Sequence, residues 1–363
     1  MRVIIYKMLR ISLGFAVSTA GVFGVVSNAH ANTGVPLAPI RLKVEPQDRI
    51  FIKGYRGRVE YFAKDNLTDI VVTVHEVERA NAGAIKKATK IFGSDDWQVT
   101  VKRENNTIIM SIDGPTSKQT WSELLVGGNM SPEVPEFVIS ATGPSRPLEV
   151  SWHDGPIKIE NLASELRVTS VKSNIEIAQG HGDATVSLQE GELDIKNRKG
   201  PLYIESYNAK VNILGSDGPV RLENFAGDTN LHGADGSVDF MSYKGAAKLA
   251  AIKGRLEFKN GVGAIHIEKF EGELRGQSAQ GAVTAEILGD ADVRLQSVEG
   301  AVNLHLPSSG AWVNLVTTDG QMTVPSYLKP TRLPTQIVRS GKLKGSASGS
   351  IYVRTTSGEI RIH

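Results

Sequence analysis

The chain has 363 residues, of which 22% are charged, with Lys+Arg 41 against Asp+Glu 39 and a formal net charge of +2. So even a balance argues against nucleic acid or an anionic membrane as the partner, and an aromatic content of 6% leaves few of the stacking platforms that single-strand binders use. Cysteine is absent, which removes disulfides, a thiolate nucleophile and a lipid-attachment cysteine.

Residues 1–31 read as a secretory signal peptide. Arg2, Lys7 and Arg10 form a charged start, Ile11 to Val26 an apolar run, and Ala29-His30-Ala31 a small-x-small cleavage site, so the mature chain is expected to begin at Asn32. Gly14, Ser18, Thr19, Gly21 and Gly24 weaken the run as a permanent membrane anchor, and no later run approaches transmembrane length. The expectation is an exported protein of the bacterial periplasm or cell surface, with no transmembrane span in the mature chain.

Residues 32–147 are irregular in spacing. Strand-like runs occur at Ile50 to Ile52, Val59 to Phe62, Ile70 to Val77, Trp97 to Val101, Ile108 to Ile112 and Phe137 to Ile139. Ala80 to Lys90 reads as a short helix, and Asp113 to Pro135, with Gly127-Gly128 and several prolines, as a long loop. The segment is expected to be the N-terminal cap and the opening coils of a repeat region that begins near residue 148, because a bare strand edge recruits other chains.

Residues 148–324 are regular. Glycine falls at 182, 191, 200, 218, 227, 236, 245, 254, 263, 272 and 281, a nine-residue series that only Ala209 breaks, and Gly155, Ser164 and Ser173 already keep its frame. Counting each glycine, or Ala209, as the first residue, the third and fifth are mostly apolar, as in Leu193 and Ile195, Val211 and Ile213, Leu256 and Phe258, with polar residues between them. That alternation is the period of a strand with one buried face. The remaining residues are rich in Gly, Asn, Asp and Ser and make a turn. The eighth position alternates in size through Tyr207, Ser216, Phe225, Ala234 and Tyr243, so the unit is expected to be a coil of eighteen residues with two strands and two corners. The rings of Tyr207, Phe225 and Tyr243 are expected to point inward.

A membrane barrel needs strands of about nine to eleven residues, roughly twice these, and a meander gives no reason for the size alternation. The pattern therefore predicts an all-β, single-chain β-solenoid. Outward residues of successive coils should align in ladders, with Arg221, Asp239, Glu257 and Arg275 on one face and Glu176, Asp194, Asn212, Asn230, Lys248 and His266 on the other.

After Gly281 the spacing loosens to ten through Gly300, Gly310 and Gly320. Residues 325–363 open with Pro325, Pro330 and Pro334, continue through the Gly/Ser-rich Ser340 to Ser350, and end in strands at Ile351 to Val353 and Glu359 to Ile362. These read as C-terminal capping strands, with Arg354 and Arg361 guarding the final edge.

The motifs together resemble a known family. Asn106-Thr107-Ile108-Ile109-Met110, then Phe137-Val138-Ile139, then Pro147-Leu148-Glu149-Val150 leading into Gly155-Pro156-Ile157-Lys158-Ile159, the Gly-x-apolar-x-apolar strands, and the ending Gly349-Ser350-Ile351-Tyr352-Val353 with Ser357-Gly358-Glu359-Ile360-Arg361-Ile362 are similar to the putative-adhesin family of bacterial exported β-solenoid domains, a domain of unknown function. The resemblance implies the fold and, by the family's name, adhesion. It supplies no catalytic or ligand-binding residues.

No residue is singled out as catalytic, cofactor-binding or metal-ligating. The calcium-binding corner Gly-Gly-x-Gly-x-Asp is missing; Asp217-Gly218 and Asp235-Gly236 read as turn dipeptides. His75, His153, His181, His232, His266 and His305 lack a paired metal spacing, and no Gly-x-Ser-x-Gly elbow accompanies them. Glu176 and Asp194, one strand spacing apart, are the carboxylate pair on which a polysaccharide-cleaving enzyme would rest, although any charged solenoid face yields such pairs by stacking. The expected function is an exported, non-enzymatic, adhesin-like binding or envelope scaffold protein that meets a surface glycan, a protein or another envelope component. The alternative is a carbohydrate-active β-helix enzyme.

Overall fold

The computed structural model describes residues 39–77, 98–113, 136–306, 310–343, 345 and 349–363. The signal sequence, the helix expected at 80–90 and most of the loop expected at 113–135 lie outside the described residues. Among the described residues every regular element is a β-strand.

The strand Leu202–Asp217 shows how two nonapeptides make one coil. Leu202, Ile204 and Ser206 point inward, the chain turns at Tyr207 and Asn208, and Ala209, Val211 and Ile213 point inward again before a second turn at Gly215. Its neighbours stand eighteen residues away on both sides: Leu202 lies beside Ala184 and Val220, and Val211 beside Leu193 and Thr229, all in parallel register. The molecule is thus an all-β, single-chain β-solenoid, with parallel strands about 4.8 Å apart in the hydrogen-bonding direction. Strands expected as separate short pieces run through the corners, so that Leu166–His181, Ala184–Lys199, Leu202–Asp217, Ala247–Val262 and Ile265–Gln280 are each 16 residues long.

The third and fifth positions fill the interior. Leu193, Ile195, Val211, Ile213, Leu256, Phe258, Ile265 and Ile267 are all at most 1% exposed. Each contributes roughly 1.5–3 kcal/mol by leaving water, and stacking the coils makes those contributions one continuous core.

The two corners are built differently, and this corrects the inward placement of the rings. At the second corner of each coil the seventh residue of the nonapeptide takes positive φ: Asn197 at 52°, Gly215 and Gly233 at 74°, Ala251 at 53° and Lys269 at 52°. That left-handed step turns the eighth residue inward, and Arg198, Ser216, Ala234, Ile252 and Phe270 are all at most 4% exposed. At the first corner no such step occurs and the seventh residue itself points inward: Ser206, Asn224, Ser242, Asn260, Ser278 and Ser297 are at most 6% exposed. The eighth residue is then forced outward, and Tyr207, Phe225 and Tyr243 are 52%, 43% and 48% exposed. From Tyr207 to Tyr243 the eighteen-residue size alternation is present, with Ser216 and Ala234 inside and the rings outside, whereas the inward position on either side of that run holds Arg198, Ile252 and Phe270.

The inward polar residues hold the first corner. Asn224 Nδ2 donates to the carbonyls of Ala209 at 3.0 Å and Gly227 at 3.1 Å, and its Oδ1 accepts from Ser206 Oγ at 2.9 Å. Asn260, Ser278, Ser297 and Thr355 each donate to the carbonyl of the glycine three residues on, at 2.7–3.2 Å. The glycine is required by stacking as well as by conformation. At Gly263, with φ 129°, a Cβ would lie 2.0 Å from the Gly245 carbonyl oxygen of the preceding coil.

Arg198 fills the inward place of a second corner with no solvent exposure. Its guanidinium donates to the carbonyls of Leu162, Ser164, His181 and Gly182 at 3.0–3.4 Å. Burial pushes its pKa down to about 10, against a smaller opposing pull from Asp183.

The stacking order departs from the chain order at both ends. The strand Arg49–Ala63 lies between the coil formed by Thr107–Asp113 with Glu136–Gly143 and the coil formed by Leu148–Asp154 with Ile157–Ala163, parallel to both. At the other end, Ser350–Thr355 pairs with Asp292–Ser297 on one side and Trp312–Thr317 on the other, while Ile360–Ile362 lies between Val302–His305 and Met322–Thr323. The expected capping strands at 350–362 are therefore an interior coil, and Arg354 and Arg361 do not guard a final edge. The edges are covered by antiparallel strands: Gln98–Glu104 and Asp69–Val77 at one end, and Gln336–Lys342 with Pro330–Leu333 at the other.

Candidate functional site

The outward first-corner position forms an aromatic ridge. Tyr207 and Phe225 stack with ring centroids 4.8 Å apart and planes within 4°, and Phe225 and Tyr243 stack at 4.9 Å and 10°. These separations equal the coil spacing, so the eighteen-residue period itself places each ring on the next. The column begins after Gln189 and stops at Gly261, which carries no side chain. Met241, two residues before Tyr243, and Val262, next to Gly261, are exposed at 44% and 43% and extend the apolar surface. Because each inner ring face is covered by its neighbour, the ridge presents ring edges, two phenolic hydroxyls and the outer faces of Tyr207 and Tyr243. Clustered exposed apolar side chains that the core does not require are a feature of interaction surfaces.

Farther along the same corner, Tyr55 stacks on His153 at 4.6 Å and 4°. Burial lowers the pKa of His153, opposed by the neighbouring Asp154 carboxylate.

The polar ladders lie where the period places them. Glu176, Asp194, Asn212, Asn230, Lys248 and His266 are successive register partners, as are Arg221, Asp239, Glu257 and Arg275. Their ion pairs run mainly along a strand or on the diagonal: Arg221 meets Glu223 at 2.6 Å, Arg255 meets Glu257 at 2.5 Å, and Lys196 meets Glu176 at 3.0 Å. Such exposed pairs stabilise little, about 0–1 kcal/mol each.

The carboxylate pair of the enzyme alternative stands on this flat face. Glu176 is held by Lys196, and Asp194 accepts from Asn212 Nδ2 at 2.8 Å. An open hollow of about 450 Å³, lined by Thr318, Asp319, Arg332 and Gln336 among others, lies at the C-terminal cap of the stack, away from this pair. Among the histidines, His266 pairs with Glu268 at 3.1 Å and His305 stacks on His363 at 4.8 Å. Among the described residues no group of three or more His, Asp or Glu is arranged to hold a metal ion, and no helix is long and apolar enough to cross a membrane.

Two features of the corners go beyond the expectations above although their signals are present in the sequence. The first is the inward Ser, Asn or Thr three residues before each first-corner glycine, visible as Asn224-x-x-Gly227, Ser242-x-x-Gly245, Asn260-x-x-Gly263 and Ser278-x-x-Gly281. The second is Arg198, which shares its column with Ser216 and Ala234.

Fold and ridge together define the class: a capped parallel β-solenoid that displays side-chain ladders at its corners and faces. The sequence matches the model of the Toastrack DUF4097 family over residues 66–363, and the chain belongs to that family. No curated protein matches it. Among solved structures it is similar to a candidate adhesin from Parabacteroides distasonis, at 12% identity over 91% of this chain and 98% of that one, with a TM-score of 0.31. A candidate lipid binding protein from the same organism has 12% identity over 90% and 96% of the two chains and a TM-score of 0.28. A candidate cell adhesion protein from Clostridium sporogenes has 12% identity over 90% and 98%, with a TM-score of 0.22. Similarity at this level carries no argument about a ligand.

Proposed function

We propose that the chain is an exported, non-enzymatic, adhesin-like protein of the bacterial cell envelope, cleaved after Ala31, that binds a protein partner through the ridge of Tyr207, Phe225 and Tyr243. The observation that carries this reading is the outward stack itself, three large rings kept at a corner whose interior is closed by Ser206, Asn224 and Ser242. Ring edges with hydroxyls, flanked by Met241 and Val262, suit the aromatic-rich centre of a protein interface. A sugar ring stacks on an aromatic face, and within the ridge only the two outer faces, on Tyr207 and Tyr243, are left uncovered by another ring.

The test is pull-down from envelope fractions by the wild-type chain and by a Tyr207→Ser/Phe225→Ser/Tyr243→Ser variant of unchanged circular dichroism. Capture of a protein by the wild type alone supports the reading. Equal capture by both removes the ridge from it, and capture abolished by glycan removal rather than by proteolysis of the fraction replaces the protein partner with a glycan. Protease accessibility on intact host cells tests the location. Polysaccharide cleavage that is lost in Asp194→Asn would replace the binding reading with the enzymatic one.

A further inference from the structure

The coil at 350–362 enters a slot whose two walls precede it in the chain. One wall is Asp292–Ser297 with Val302–His305, and the other is Trp312–Thr317 with Met322–Thr323. Each wall strand pairs with the inserted coil in parallel register: Val293 and Val313 both face Ile351, Leu295 and Leu315 both face Val353, and Val302 faces Ile360. The glycine column shows the same order independently, since a Cβ on Gly358 would strike the Gly300 carbonyl and one on Gly320 would strike the Gly358 carbonyl, both at 2.1 Å. Ile351, Val353, Ile360 and Ile362 are buried to 7% exposure or less, so the insert supplies core as well as hydrogen bonds.

Without the insert the slot is two facing rows of unpaired strand groups about 9.6 Å apart, twice the strand spacing. Both rows are complete before residues 350–362 emerge in the chain. Those rows recognise backbone and alternate apolar side chains, which any copy of the same segment satisfies equally. Lys342 pairs with Trp312 on its outer side and Ser350 pairs with Trp312 on the slot side, with seven residues, Leu343 to Gly349, between them in the chain. Seven residues span at most about 25 Å when extended.

We propose that this slot is an interaction surface for residues 350–362 of a second copy of the chain, giving a dimer by reciprocal exchange of identical coils. Exchange creates no contact absent from the monomer, and the two forms differ only in the path of the connecting segment. The attached segment has the advantage of high effective concentration, so exchange grows with protein concentration during folding and with any shortening of the connection.

The chain contains no cysteine, which makes the test direct. Arg294 and Tyr352 are outward register partners across the slot, with the guanidinium 5.9 Å from the ring centroid. Full-length chains carrying Arg294→Cys under one tag and Tyr352→Cys under another are unfolded together, refolded at high concentration and oxidised gently. A control pair joins Tyr352→Cys with Arg167→Cys, which lies outside the slot. The expected result is a two-tag disulfide species roughly tenfold above the control pair. The double variant Arg294→Cys/Tyr352→Cys, refolded dilute, should close within one chain. Deletion of Gly345–Gly349 should shift the protein from monomer to dimer in sedimentation. A two-tag species at the control level, with the double variant closing within one chain, overturns the proposal. So does a deletion variant that stays monomeric with the same internal crosslink.

Discussion

Replacing Phe225 and Phe270 by alanine, one at a time, tests the corner geometry on which the aromatic ridge depends. Phe225 is 43% exposed and touches the rings of Tyr207 and Tyr243 at 4.8 and 4.9 Å. Its removal forfeits two stacking contacts of about 0.5–1.5 kcal/mol each, and water fills the space, so no closed cavity is left. The expected loss is about 1–3 kcal/mol. Phe270 comes directly after the left-handed Lys269, is fully buried and leaves a cavity inside the stack, so its removal should cost about 3–5 kcal/mol. Urea unfolding followed by circular dichroism gives both values from the midpoint shift and the wild-type slope. A polar pair sharpens the contrast, since Phe225→Gln should resemble Phe225→Ala whereas Phe270→Gln buries an unpaired amide. An equal cost for Phe225→Ala and Phe270→Ala would refute the outward corner, because it would place the Phe225 ring inside.

Asn224→Ala should cost about 2–4 kcal/mol by stranding buried carbonyls, and Asn224→Ser clearly less, because Ser206 and Ser242 occupy the same column; urea midpoints check the order. Gly263→Ala should lose more than about 3 kcal/mol or fail to fold, through positive φ and the clash with the Gly245 carbonyl, whereas its counterpart Ala209 is tolerated without positive φ; soluble yield and thermal midpoint separate them. Burial lowers the pKa of His153 below 6.5, so the unfolded chain takes up the proton first. Its contribution to stability is complete above pH 6.5 and declines as pH falls through that value toward the lowered folded one. Midpoints measured at about pH 7.5 and 5 should therefore differ less in His153→Phe than in the wild type.

Much of the fold was legible because stacking imposes one period on everything. The glycine spacing, the third and fifth apolar positions and the opposing ladders of Glu176 to His266 and Arg221 to Arg275 all arise from a single repeat distance. The ridge is legible in the sequence as a column of large residues, but the side it faces is not. Whether position seven or position eight points inward depends on a backbone step at position seven, and Asn197, Gly215 and Gly233 advertise that step while Ala251 and Lys269 do not.

The sequence by itself determined the coil, its length and which strand residues form the core, because these depend on local alternation and on glycine at corners where a Cβ meets the next coil. Only the tertiary structure decided the order in which the coils stack. Strands Arg49–Ala63 and Ser350–Thr355 carry the same alternating pattern as their neighbours, and a parallel ladder accepts any strand of matching pattern. Their places inside the stack, away from the chain order, are therefore set by long-range pairing and by the antiparallel strands that close the ends.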